Sequence, residues 1–182
     1  MGTTTGLVVR NAAAADAQRC AAIYAPYVRD TAISFESEPP SPEEMAGRIA
    51  EAQRRHAWLV LEQGGVLIGY AYGGALMSRA AYRWSATVSV YLDGGRQRSG
   101  GGRALYSALF DRLTDLGIRT LLAGIALPNE ASEGLHRALG FRPAGTYRRV
   151  GWKLGRWHDV TWFQRPLDDG PWDDAAPPAL LR

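Results

Sequence analysis

The sequence predicts one α/β domain, an α/β sandwich in which helices flank a mixed, mostly antiparallel sheet. Three observations predict it. Apolar periodicities follow the order β-α-α-β-β-β-α-β-α-β-β. A tight hairpin signal sits in the middle of the chain, and Thr120 to Ala126 is a nearly unbroken apolar run, as expected of a strand covered on both faces.

Each element has its own warrant. Leu7-Val8-Val9-Arg10 reads as a first strand, and Asp16 to Arg29 as a helix with Cys20, Ile23, Tyr24 and Tyr27 along one face. Cys20 is therefore expected in the core rather than as a nucleophile. Ser41-Pro42-Glu43-Glu44 opens a second helix running to about His56: serine caps, proline takes the first turn, and Glu44 closes a capping box. Trp58 to Glu62, Gly64-Gly65 and Val66 to Tyr72 spell a β-hairpin. A loop with Arg79 and Tyr82 leads to a strand from Trp84 to Leu92. After a glycine-rich turn, Leu105, Leu109, Phe110, Leu113 and Leu116 mark an amphipathic helix that Gly117 ends. Asn129 can cap a helix reaching Leu139, with Gly140 as its stop. Strands over Ala144 to Leu154 and Trp157 to Gln164 close the domain, so residues 1–6 are expected as a flexible N-terminus, 7–166 as the domain, and 167–182 as a loose acidic, proline-rich tail.

At 182 residues the chain is long enough for a real core without staples. One cysteine excludes an internal disulfide, Met1 to Gly6 has no secretory apolar region, and no apolar run approaches the roughly 20 residues that span a bilayer. A cytoplasmic protein with no membrane partner is expected. Without the last 17 residues, which hold four aspartates and one arginine, the net charge rises from +3 to +6. That body suits a small polyanionic ligand, and the absence of any lysine or arginine block beyond Arg54-Arg55 and Arg148-Arg149 argues against nucleic acid.

The densest chemical signal is Gln97-Arg98-Ser99-Gly100-Gly101-Gly102, where a strand breaks into glycine and at once becomes a helix. Glycine amides at the positive end of a helix make a concave anion site, and Arg96, Arg98 and Arg103 add charge around it. No Gly-Lys-Ser/Thr follows, so this is not a Walker loop. A plain flexible turn would also fit the six residues taken alone.

The loop resembles the pyrophosphate loop of the GNAT superfamily of N-acetyltransferases, and residues 7 to 166 resemble its phosphinothricin N-acetyltransferases. The landmarks are Ile33 to Pro39, Trp58-Leu59-Val60, Arg79 with Tyr82 and Trp84, Val90-Tyr91-Leu92, Leu127-Pro128-Asn129, Leu135 to Phe141, and Gly151 to Val160. The resemblance implies the single-domain GNAT fold and acetyl-CoA as co-substrate, with no metal. Its pantetheine arm would lie along Val90, Tyr91 and Leu92, and its pyrophosphate on Arg98, Ser99, Gly100, Gly101, Gly102 and Arg103. Asn129 is the position that also reaches the cofactor, a role compatible with capping the helix. Homodimers are common in the family, and Trp152, Trp157 and Trp162 could supply the apolar surface or be interior.

Acetyl transfer to an amine needs a deprotonated nitrogen, a polarised thioester carbonyl and a proton donor for the thiolate. In the resembled family a glutamate before the cofactor strand accepts the amine proton, and the matching position here is Thr87. The family histidine is kept as His136, whose ordinary pKa of about 6.5 suits proton transfer near neutrality. His136 is expected as the principal ionisable catalytic group, with Thr87 ordering a water in place of the carboxylate. His56, at a helix end, and His158, in a strand, read as structural. Arg79 and Tyr82 match the substrate mouth and Phe35 can wall it, although Leu76-Met77 stands where the family has Trp-Lys. The expected activity is acetyl transfer to a small amino-acid-like amine, phosphinothricin or a related compound. The alternatives are an acyltransferase for another amine and a non-catalytic acyl-CoA sensor.

Overall fold

Residues 6–96 and 99–167 are described by the structure, a computed structural model. The elements are β1 (Leu7–Asn11), α1 (Ala17–Asp30), α2 (Pro42–Arg55), β2 (Trp58–Gln63), β3 (Val66–Ala75), β4 (Ser85–Leu92), α3 (Gly101–Asp115), β5 (Thr120–Ala126), α4 (Glu130–Ala138), β6 (Arg142–Lys153) and β7 (Arg156–Pro166). Their order is the one the periodicities predict.

Local chemistry sets the boundaries. Ser41 and Glu44 exchange both capping-box bonds at the head of α2, at 3.2 and 2.7 Å. Gly64 and Gly65 both adopt positive φ, 63° and 75°, which a two-residue hairpin turn between right-twisted strands requires. The Asn129 side chain accepts from the Ser132 amide at 3.1 Å and caps α4. Tertiary pairing moves some ends: β3 continues past Tyr72 to Ala75 because Gly73, Gly74 and Ala75 find partners in β4. Likewise β6 begins at Arg142, two residues before the expected start, and tolerates Pro143 because it is the outer strand of the sheet. The tail from Asp168 and the first five residues lie outside the described residues.

The seven strands form one sheet in the order β1-β2-β3-β4-β5-β7-β6. All neighbours are antiparallel except β4 and β5. One face carries α3 and α4 over an aliphatic core in which Leu105, Leu109 and Leu113 meet Leu59, Leu61, Ala86 and Leu121. The other face carries α1 and α2, whose Ile23, Met45 and Ile49 pack against Trp58, Val60 and Tyr70. Cys20 is fully buried there, and burial pushes its thiol up to about 12, which makes it inert near neutral pH. No helix among the described residues is long and apolar enough to cross a membrane.

Candidate active site

The site begins where the sheet parts. Parallel pairing between β4 and β5 covers Ser85, Ala86 and Thr87 against Thr120, Leu121 and Leu122, then ends. Beyond Thr87, β4 follows β3 out to Leu92 and β5 follows β7 out to Ala126. Between the diverging strands lies a narrow cleft of about 50 Å³, bordered by the Val88–Tyr91 and Ala123–Ala126 segments and closed from α4 by Asn129 and His136. A larger groove of about 570 Å³ runs on from it between the start of α3 and α4, past Leu92, Gly100, Gly102, Arg103 and Leu135. Ile33, Val90, Asn129 and Ser132 border both spaces.

The head of α3 has the chemistry of an anion site. Gly100 adopts φ 82°, a left-handed conformation that suits glycine, and turns the chain into the helix. The first-turn amides of a helix have no intrahelical acceptors and sit at its positive end. The Ser99 hydroxyl donates to the Arg96 carbonyl at 2.8 Å, and the Arg96 guanidinium donates to Gln63 at 2.6 Å, so the loop is tied back to β2. Gly101 and Gly102 have a second reason to be glycine. A Cβ at Gly101 would stand 2.8 Å from a Leu61 methyl, and one at Gly102 would stand 3.2 Å from a Leu135 methyl, so side chains there would force α3 away from β2 and α4. Arg98 lies outside the described residues.

His136 is 3% exposed, on the inner face of α4. Its Nδ1 is 2.7 Å from the Ser132 carbonyl oxygen, which can only accept, so Nδ1 carries the proton. Nε2 is then the basic nitrogen, and the Tyr106 hydroxyl donates to it at 3.2 Å. The Tyr106 ring also stands edge-on to the imidazole, as does Phe141. Burial lowers the His136 pKa below its usual value, against a smaller upward pull from the Ser132 carbonyl. The same desolvation raises Tyr106, which stays protonated. Tyr106 borders the cleft and was not anticipated from sequence. Its signal was available: it lies four residues before Phe110, on the apolar face of α3, where a buried hydroxyl needs a partner.

Thr87 stands on the opposite face. Its chain neighbours Ala86 and Val88 point into the core under α3, so Thr87 faces the other way, and its hydroxyl donates to the carbonyl of its cross-strand partner Gly74 at 3.3 Å. His136 and Thr87 are thus brought to the two sides of one opening rather than to one pocket. The Tyr91 ring is turned away from the cleft against Tyr24 and Tyr27, with ring centroids 4.8 and 5.1 Å apart, which leaves its backbone at the cleft edge.

The expected acceptor residues are scattered. Phe35 covers Gly151 and lies 6.1 Å from the His158 ring, at the joint between the α1–α2 loop and the β6–β7 hairpin. Lys153 secures that joint, donating to the Val28 and Ser34 carbonyls at 2.6 Å each. His158 is buried and bonded to the Lys153 carbonyl at 3.0 Å, a structural role as expected. Arg79 and Tyr82 are exposed on the loop before β4, beside its Ser85 end, and border neither the cleft nor the groove. A further cavity of about 630 Å³ lies under α2. No group of three or more metal-ligating side chains occurs among the described residues.

Comparison with known proteins agrees with this fold. Residues 9–162 match the Acetyltransferase (GNAT) domain family. The phosphinothricin N-acetyltransferase of Streptomyces viridochromogenes is 38% identical over 160 residues, covering 88% of this chain and 87% of that protein. The L-methionine sulfoximine/L-methionine sulfone acetyltransferase of Salmonella typhimurium is 37% identical, over 70% of this chain and 81% of its own. Among solved structures, a GNAT superfamily phosphinothricin acetyltransferase from Sinorhizobium meliloti, in complex with AcCoA, superposes with a TM-score of 0.89 at 37% identity, over 94% of this chain and 93% of the other.

Proposed function

The chain belongs to the GNAT acetyltransferase family, and we propose that the opening between β4 and β5 is where its acetyl group changes hands. The protein is an acetyl-CoA-dependent N-acetyltransferase that acylates the amino group of a small amino-acid-like acceptor, phosphinothricin or a related compound. The observation that carries the reading of the site is the early end of the β4–β5 pairing, which puts an anion-binding groove and a buried imidazole on one side and Thr87 on the other.

Residues 7–166 form the catalytic unit. The first-turn amides of α3, with Ser99, Gly100, Gly101, Gly102, Arg98 and Arg103, hold the pyrophosphate of acetyl-CoA. The β4 backbone from Val90 through Tyr91 to Leu92 takes the pantetheine arm, since its groups on the cleft side are released from sheet pairing. Asn129 stays as the α4 cap while its edge lines the arm's path. Acetyl-CoA supplies the thioester, and the sheet keeps thiol and amine on opposite faces.

Thr87 holds a water that takes the proton from the acceptor ammonium, since its own hydroxyl is too weak a base near neutral pH. His136 and Tyr106 deliver a proton to the leaving thiolate. His136, neutral at rest, takes one of the two protons that the acceptor ammonium sheds on becoming an amide and passes it through the Tyr106 hydroxyl to the thiolate; the other proton goes to solvent, and the pair returns to its starting state. Phe35, Arg79 and Tyr82 contact the acceptor, the last two when copies of the chain pair. The exposed Val150, Trp152, Leu154 and Trp157 of the β6–β7 hairpin favour a homodimer. A lone buried cysteine suits the reducing cytoplasm.

Thiol release from acetyl-CoA, followed with phosphinothricin, methionine sulfoximine and ordinary amino acids, tests the reading. Stoichiometric coenzyme A and N-acetyl product are expected. Tight acetyl-CoA binding with no thiol from any amine would instead identify a binding module.

A further inference from the structure

We propose that Lys153 is a positioning residue for acetyl-CoA: it pins the chain at Val28 and Ser34, and so holds Ile33 as a wall where the groove meets the cleft. This rests on the acetyltransferase reading and adds to it a residue that borders neither space.

The end of α1 needs an outside partner. The helix stops at Asp30 without a glycine, and Thr31 follows in extended conformation, so no left-handed turn brings an amide back to the last carbonyls. The Thr31 hydroxyl donates to the Tyr27 carbonyl at 2.6 Å. The next carbonyl, that of Val28, accepts from Lys153, 125 residues away in sequence. An ammonium there also meets the negative end of the helix. Its second bond goes to the Ser34 carbonyl, so the two bonds bracket residues 28 to 34.

Lys153 is itself fixed. It ends β6, its carbonyl is bonded to His158 at 3.0 Å, and the Leu154-Gly155 turn that follows has φ 50° and 75° at its two central residues. Burial lowers its pKa, and the Glu36 carboxylate opposes that. The other bonds of the loop run to helices, from Ser34 and Glu36 to Tyr24 and from Glu36 to Arg48. Lys153 ties the loop to the sheet.

The pinned segment is a wall of the site. Ile33, one residue before Ser34, is 41% exposed and borders both the groove and the narrow cleft. Tyr27, one residue before Val28, also borders the groove, and its hydroxyl donates to the Leu92 carbonyl at 2.6 Å. Without the ammonium the segment would keep this position for only part of the time, and a ligand that needs it there would bind more weakly by that fraction.

Lys153→Met keeps the length of the side chain and removes the donor. The KM of acetyl-CoA, and its Kd by calorimetry, should each rise about tenfold. The kcat should change by less than about threefold, whereas a merely destabilised protein would lose active molecules at unchanged KM and Kd. Ile33→Ala, at an exposed position, should raise the Kd by a similar factor, and the double variant should be no worse than either single one. Lys153→Cys alkylated with 2-bromoethylamine rebuilds an ammonium at nearly the same length, with Cys20 spared by its burial, and should recover the original Kd. An unchanged Kd in Lys153→Met, multiplied effects in the double variant, or no recovery on alkylation overturns the assignment and leaves the acetyltransferase standing. Should Lys153→Met fail to fold, Ile33→Ala decides alone, and an unmoved Kd there overturns it. No thiol released by the unaltered chain with any amine defeats the acetyltransferase reading itself.

Discussion

The two faces of the sheet are built from different materials. Under α3 and α4 the core is mainly aliphatic, with Tyr106, Phe110, Phe141 and Phe163 grouped around the buried His136, to which Tyr106 is bonded. Under α1 and α2 the same sheet presents Trp58, Tyr70, Tyr72 and Tyr91 to Tyr24 and Tyr27, with hydroxyls tied to Ser34, Glu36 and the Leu92 carbonyl. Aliphatic packing is close and leaves little room, so it fixes a groove of one shape for a ligand that is the same in every turnover. Stacked rings leave flat walls, and their edge hydroxyls need partners, which this face supplies in Ser34, Glu36 and the Leu92 carbonyl.

The comparison can be broken first on the aliphatic side. Leu109→Ala, at a fully buried position in α3, should cost about 3 kcal/mol in urea unfolding through cavity formation. A loss below about 1 kcal/mol would mean that this face is loosely packed after all. His136→Ala should cut kcat at least tenfold, about 1.4 kcal/mol of barrier, with little change in the acetyl-CoA KM. An unchanged rate would remove the imidazole from the mechanism.

Acid titration sharpens the same contrast. His136 has its pKa lowered in the folded state, so below the ordinary value of about 6.5 the unfolded chain takes up a proton that the folded chain resists. Stability should be full above that pH and decline as the pH falls through it. His136→Gln should flatten the decline, leaving the share of His56, which shifts in the same direction. An equally steep decline in the variant would show that the imidazole is already charged in the fold.

On the aromatic side the effects should be smaller. Tyr24→Phe loses the bonds to Ser34 and Glu36 and should cost about 1 kcal/mol, with the aromatic packing intact by near-ultraviolet dichroism. Arg54→Ala, on the outer surface of α2 where the pair with Glu51 is exposed, should change stability by less than about 0.5 kcal/mol. A larger effect there would mean that the α2 surface is in contact with something other than water.

Much of this was legible in the chain because the signals are local. Ser41 with Glu44, Gly64-Gly65 and Asn129 each specify a boundary through bonds made within a few residues, and all three act as expected. Cys20 and His158 are buried, as their apolar and strand-like settings implied. What could not be read depends on distant partners. The point where β4 leaves β5 is fixed by β3 and β7 competing for their outer edges, and no residue of β4 announces it. Tyr106 was legible as a buried hydroxyl in need of a partner, but which partner it meets depends on α4, which brings His136 against it. Thr87 and His136 are given two roles in one mechanism by the sequence, but not their sides of the sheet: alternation along β4 turns Thr87 away from the core under α3, and α4 brings His136 in from that side. The glycine loop was legible as an anion site, but Gly101 and Gly102 are held as much by Leu61 and Leu135 as by any phosphate.

Phe35 and Gly151 occupy what is in effect one volume, since the ring fills the place where a side chain at 151 would stand. Their evolutionary freedom is therefore joint: a lineage can gain a methyl at one position only after surrendering bulk at the other. Among descendants and cousins of this chain, identities at 35 and 151 should drift as a linked pair. The joint they form would then change shape by exchange between two addresses rather than by growth at either.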